Sequence, residues 1–229
     1  MNLKHLNVLL LLAALPPAGR AATLYYGTGS SAVWDTATAN WGTVTGGPYT
    51  TVNDGVYHDA VFEGTGKTVA VSTVNANSMS LLSNGYTLSA GTITLGSPAG
   101  GPAVNVSTGV SASISSVWDR AGGGAALRKT GAGTLTYTGL SVINGYNITV
   151  EGGTLAVGTG GRLWHDTAYQ SGSVLTVASG ATLDLKTWGY GTGHSLGALR
   201  ANNNAIVISG GTIRMSGGAT NYNRGMTIN

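Results

Sequence analysis

A short phrase recurs along this chain: a small residue, a threonine, then apolar residues at every second position. It reads Gly91-Thr92-Ile93-Thr94-Leu95, Gly133-Thr134-Leu135-Thr136-Tyr137, Gly153-Thr154-Leu155-Ala156-Val157, Ala181-Thr182-Leu183-Asp184-Leu185 and Gly211-Thr212-Ile213-Arg214-Met215. Alternation with a period of two marks a half-buried strand. Ile93/Leu95, Leu135/Tyr137, Leu155/Val157, Leu183/Leu185 and Ile213/Met215 fall on one face. Thr94, Thr136, Ala156, Asp184 and Arg214 fall on the other, where β-branched threonine suits an exposed pleat. Glycine inside a strand costs ~0.5–1 kcal/mol, but here the glycines stand just before each strand, where a corner of positive φ belongs.

One such strand cannot bury its own apolar face. Coils of roughly 20–30 residues, each resting on the next about 4.8 Å away, can do so. The pattern predicts an all-β chain folded as a parallel β-solenoid. No stretch after residue 21 carries a 3.6-residue apolar period over three turns. Residues 23–64 differ from the rest: they hold Tyr25, Tyr26, Trp34, Trp41, Tyr49, Tyr57 and Phe62, with four acids, Asp35, Asp54, Asp59 and Glu63. A solenoid's open end is an unpaired edge that must be covered, so residues 22–64 are expected to form an aromatic-rich N-terminal cap and residues 65–229 the repeats. The last residues, Gly225-Met226-Thr227-Ile228-Asn229, open another strand phrase, and a continuation beyond them is expected.

Residues 1–21 read as a secretory signal peptide. Lys4 and His5 give a polar start, residues 8–15 an apolar run, Pro16-Pro17 a helix stop, and Gly19-Arg20-Ala21 small residues at the −3 and −1 positions of a cleavage site. The apolar run is far short of the roughly 20 residues that span a bilayer, and no later stretch is expected to span one. The mature product is therefore expected to be secreted or held at the cell surface.

Composition narrows the classes further. Gly supplies 38 of 229 residues while charged residues make up only 8%, so Thr, Ser and Asn must carry the surface polarity. A hydrophobic content of 42% excludes intrinsic disorder, and the absence of Cys excludes disulfide scaffolds, thiolate metal sites and cysteine nucleophiles. The formal charge of +3 falls to +1 without Lys4 and Arg20, and no basic stripe exists for nucleic acid.

The segment Leu127-Arg128-Lys129-Thr130-Gly131-Ala132-Gly133-Thr134-Leu135-Thr136-Tyr137-Thr138-Gly139 continues through Gly145 and Ile148-Thr149-Val150 to Gly152-Gly153-Thr154-Leu155-Ala156-Val157-Gly158. It resembles one complete autotransporter-associated β-strand repeat, the passenger-associated transport repeat of Gram-negative surface proteins. Val33-Trp34-Asp35-Thr36-Ala37-Thr38-Ala39-Asn40-Trp41 and Asp59-Ala60-Val61-Phe62-Glu63-Gly64 are similar to what precedes such repeats, whereas residues 97–126 match poorly. The resemblance implies a right-handed β-helix exported to or beyond the outer membrane. It brings no catalytic residue and no cofactor.

Candidate chemistry is sparse. Gly193-His194-Ser195-Leu196-Gly197 spells the G-x-S-x-G nucleophile elbow, yet no acid or histidine follows Ser195 to complete a triad. Gly64-Thr65-Gly66-Lys67-Thr68 mimics the end of a phosphate loop, but Val61 stands where the first glycine is needed and a strand follows. His58-Asp59 and His165-Asp166 could each pair a base with a carboxylate, though neighbours in a strand point apart, and solvated loop positions are expected. Asp35, Asp54, Asp59 and Glu63 are the candidates for a glycosidase pair or a calcium site, but their spacing resembles no calcium loop, and turn-stabilising cap residues are expected. Four His with no Cys give a thin supply for a metal site, and none is expected. Asp184 and Arg214 occupy equivalent positions of two phrases and should meet one coil apart as an exposed pair of little energetic weight.

Trp118, Trp164 and Trp188, with Tyr169 and Tyr190, fall outside the strand phrases. As an exposed row, Trp118, Trp164, Trp188 and Tyr190 would be a platform for stacking sugars; the other reading is a set of plugs over the solenoid core. The sequence thus points to a non-enzymatic surface or passenger protein serving adhesion, display or as a stalk. Its partner would be an extracellular ligand such as a polysaccharide or another cell surface, with end-to-end self-association available through an open edge. The competing reading is a secreted module that binds or acts on polysaccharide.

Overall fold

A computed structural model describes residues 21–121, 125–141, 147–164, 173–187, 196, 206–217 and 226–228. Every regular element among them is a strand. The strands form two sheets. The larger runs, from one edge, through Trp41–Gly42, Thr23–Tyr26, His58–Phe62, Thr73–Leu81, Ala103–Val106, Leu127–Thr130, Ile148–Val150, Leu175–Ala178 and Ile206–Ser209 to Met226–Ile228. Thr92–Leu95 and Val117–Arg120 branch from it beside Thr73–Leu81. The smaller sheet runs Val33–Trp34, Thr68–Val71, Thr87–Ser89, Ser111–Ile114, Thr134–Tyr137, Thr154–Val157, Thr182–Leu185 and Thr212–Met215.

Among the described residues all strand pairings but one are parallel, and from Leu127 onward the strands alternate strictly between the two sheets. This is an arrangement compatible with a β-solenoid. In the smaller sheet the phrases stack residue on residue: Leu135 on Leu155, Leu183 and Ile213, and Tyr137 on Val157, Leu185 and Met215. The alternation buries Leu135, Tyr137, Leu155, Val157, Leu183 and Leu185 in one continuous core, with Ile213 and Met215 half-buried at its end.

Two glycines show why the phrase opens as it does. Gly153 has φ +59°, a left-handed conformation costly to other residues. Gly133 instead answers to space, since a Cβ there would lie 2.3 Å from the Ser107 carbonyl oxygen of the preceding coil. Corner conformation explains the first, close stacking of backbone on backbone the second.

The structure departs from the sequence reading in one ladder. Thr92–Leu95 does not stack beneath Thr134–Tyr137; it belongs to the larger sheet and pairs with Thr73–Leu81 and Val117–Arg120. Ala90 and Gly91, with φ 62° and 45°, swing the chain out of the smaller sheet directly after Thr87–Ser89. The rung below Thr134–Tyr137 is Ser111–Ile114, whose Ala112 and Ile114 carry the alternation without the threonine-leucine wording.

At the N-terminal edge the exception to parallel pairing appears. Trp41–Gly42 folds back antiparallel on Thr23–Tyr26, and Trp41 exchanges backbone hydrogen bonds with Thr51. A turn-back of this kind occupies hydrogen-bonding groups that would otherwise template another strand. Beneath it Tyr26, Trp34, Trp41 and Phe62 are fully buried and meet mostly edge to face, with ring centroids 5.2–5.6 Å apart.

Candidate functional site

The aromatic candidates are placed first by burial. Trp118 is 2% exposed and Trp164 fully buried. Trp118 lies within the strand Val117–Arg120, not in a turn, and its ring stacks on Tyr137 at 4.1 Å and 20°. Neither ring offers a face to a sugar in this arrangement, because the inward parity of Trp118 and its stacking partner enclose it. Trp188 and Tyr190 lie outside the described residues, as do Tyr169, His165-Asp166, residues 1–20 and most of the Gly193–Gly197 pentapeptide.

His58 is not a solvated loop residue. It opens the strand His58–Phe62 on the same face as Ala60 and Phe62 and is only 7% exposed. Its carboxylate partner is Asp54 rather than the adjacent Asp59: Nε2 lies 2.8 Å from Asp54 Oδ1. The backbone N–H of Ala22 donates to Nδ1 at 3.0 Å, so in the neutral ring the proton sits on Nε2 and is donated to Asp54. The Val56 backbone N–H and the His58 ring hold the Asp54 carboxyl below its ordinary range, Val56 more strongly and against some desolvation. Asp59 turns away, as neighbours in a strand must, and accepts from the Ser78 hydroxyl at 2.7 Å.

The remaining acids of residues 23–64 serve turns. Asp35 accepts from the backbone N–H groups of Ala37 and Thr38 and from the Thr38 hydroxyl, which together keep its carboxyl below the usual value, the Thr38 backbone bond foremost. Glu63 gathers the loop before it, accepting from the Thr45 hydroxyl, the Gly46 N–H at 2.6 Å and the Tyr49 hydroxyl at 3.1 Å. No group of three or more His, Asp or Glu that could hold a metal ion occurs among the described residues. Lys67 of the phosphate-loop mimic donates to the Ser30 carbonyl at 2.6 Å, and its ammonium lies 5.7 Å from the Tyr26 ring centroid. A side chain at Gly66 would collide with the Asn84 carbonyl at 2.0 Å, so that glycine answers to backbone approach.

Lys129 is a feature the sequence reading did not single out. It is 2% exposed, and its ammonium donates to the carbonyls of Thr130 at 2.9 Å and of Gly131 and Gly152 at 2.8 Å. Gly152 belongs to the next turn of chain, so the ammonium ties two successive corners. Desolvation pulls its pKa down to about 8. The signal was available: Lys129 shares the inward parity of Leu127.

Asp184 and Arg214 do meet across one coil, with Arg214 Nη2 2.6 Å from Asp184 Oδ2 and the two residues in register. Asp184 is more enclosed than expected, at 6% exposure, while Arg214 reaches out to solvent. Burial pushes the Asp184 carboxyl up, but hydrogen bonds from Arg214 and Ser216 outweigh it and leave the group below its ordinary value. Arg128 and Glu151, 3.3 Å apart, form a similar cross-coil pair. What these residues do chemically is hold coils together.

The chain is similar to the adhesin BmaC autotransporter of Brucella suis biovar 1 (strain 1330), with 35% identity over 162 residues. The match covers 69% of this chain and 4% of that protein, and it makes the chain autotransporter-related. No family model matches the chain, and no solved structure matches it. No helix among the described residues is long and apolar enough to cross a membrane.

Proposed function

We propose that this chain is a non-enzymatic, surface-displayed segment of an adhesin-like autotransporter passenger, built as a right-handed β-solenoid of autotransporter-associated repeats. The observation that carries the reading is the similarity to a protein named as an autotransporter adhesin. Two further features support it. The in-register ladder needs only coil-on-coil contact, which suits an extended segment of a long passenger. Asp35 and Glu63 hold turns, Lys129 and the pairs Arg128–Glu151 and Asp184–Arg214 tie neighbouring strands, and residues 1–21 have the build of an export signal.

The partner on this reading is an extracellular ligand or another cell surface. The test is attachment of producing cells to host-cell or matrix-coated surfaces, with residues 22–228 removed in frame and display of the remainder matched by antibody labelling of intact cells. Attachment is expected to fall several-fold. Unchanged attachment at matched display would refute the adhesive role.

A further inference from the structure

The start of the first strand carries a device that the adhesive reading does not use. Ala22 is pinned at both ends of its peptide: its N–H donates to His58 Nδ1 at 3.0 Å, and its carbonyl accepts from the Asp59 N–H at 2.9 Å. Asp54, beyond the ring, accepts from Nε2 at 2.8 Å. The Ala22 nitrogen is also the atom that follows the small-x-small cleavage pattern Gly19-Arg20-Ala21.

We propose that the Ala21–Ala22 peptide bond is the processing site and that the α-ammonium freed at Ala22 is seated on His58 Nδ1, with Asp54 fixing the ring in its Nε2–H tautomer. Hydrolysis by the exporting peptidase adds water across the amide. The hydroxyl goes to the Ala21 carbonyl carbon, a proton goes to the Ala22 nitrogen, and that amine takes up a further proton at neutral pH. The neutral amide donor thereby becomes a charged one, and hydrogen bonds from charged donors are roughly twice as strong. The Asp54 carboxylate faces the new charge through the ring, Asp59 lies next in the strand bonded to Ser78, and Ala76 is the residue opposite His58 on the adjoining strand. Removal of the leader thus strengthens, by the added charge, a tie that the first rung of the ladder already makes through the neutral amide.

The inference rests on the export reading of residues 1–21, and the experiment separates the two. The exported full chain is purified from the producing cell and its N-terminus read by mass spectrometry, after which its α-amine is acylated with limiting reagent at neutral pH. Ala22 is expected as the first residue. Its amine should react several-fold more slowly in the wild type than in Asp54→Asn or His58→Gln, because the seat holds it protonated. Asp54 is largely exposed, so Asp54→Asn tests the seat even where His58→Gln fails to fold. An uncut leader overturns both readings, whereas cleavage at another bond, or equal acylation rates, overturns the seat alone.

Discussion

Lys129, inside a strand of apolar parity, sits in an environment far from a lysine's ordinary habit. The ammonium of Lys129 is held by three carbonyl oxygens, so the charge is solvated by backbone dipoles in place of water. Burial still disfavours the charged form, and the folded pKa of about 8 lies below the ordinary 10.5. Between these values the unfolded chain binds more protons than the folded one, so stability rises with pH across that window. Denaturant titrations near pH 7 and near pH 9.5 should show the midpoint rising in the wild type. Lys129→Ala should lack that rise and lose about 1–3 kcal/mol near neutral pH, the cost of leaving buried acceptors without a donor. A midpoint unchanged by the substitution would contradict the role. Trp118→Ala belongs to the same scale: losing a buried indole stacked on Tyr137 should cost about 3–5 kcal/mol in the same titration. Parity made both Lys129 and His58 legible in principle, since each shares a face with apolar neighbours. Which atoms they reach was not, because Gly152 and Ala22 lie on other strands or corners.

The elements themselves were largely written in the alternation. Thr134–Tyr137, Thr154–Val157, Thr182–Leu185 and Thr212–Met215 occupy the expected phrases in the expected register. Thr92–Leu95 has the same wording and a different place, because the wording describes one strand's two faces and says nothing of which sheet receives it. That choice was made by the backbone at Ala90 and Gly91. Ser111–Ile114 went unrecognised for the converse reason: its neighbours on both sides supply the pairing that its small residues do not advertise. The two-faced strand makes a direct prediction. Leu155→Ala should lower stability by about 2–5 kcal/mol, while Thr136→Ala on the outer face should change it by less than about 0.5 kcal/mol. Equal effects on the denaturant midpoint would deny the alternation. The tie between Asp184 and Arg214 sets a further expectation. A carboxyl held below its ordinary value contributes stability above about pH 4 and loses it as the group protonates on further acidification. Arg214→Ala should therefore flatten the acid limb of a stability–pH curve, and an unchanged limb would remove the pair from the account.

Across the whole molecule, the described strands form two ladders in which each coil rests on the one before. Such a chain gains stability by nearest-neighbour contact and can lengthen without enlarging its core. The small charged fraction fits this economy, since rows of Thr, Ser and Asn cover the outer pleats. At the N-terminal end, the antiparallel return of Trp41–Gly42 covers the edge, and an aromatic cluster fills the space under it. The aromatic content of residues 23–64 announced that cluster. The return of the strand, made by a loop that Glu63 gathers, was not visible in the pattern. The chain has no Cys, so engineered pairs report coil stacking without background. Directly opposed positions on neighbouring strands stand about 4.8 Å apart, inside the roughly 4.4–6.8 Å Cα range that a disulfide spans. The decisive comparison is between T136C/A156C, opposed in the smaller sheet, and T94C/T136C, equivalent in wording but placed in different sheets. Oxidation of the folded chain should close an intramolecular disulfide in the first and leave the second reduced. A bridge in T94C/T136C, with none in T136C/A156C, would contradict the ladder on which the whole account stands.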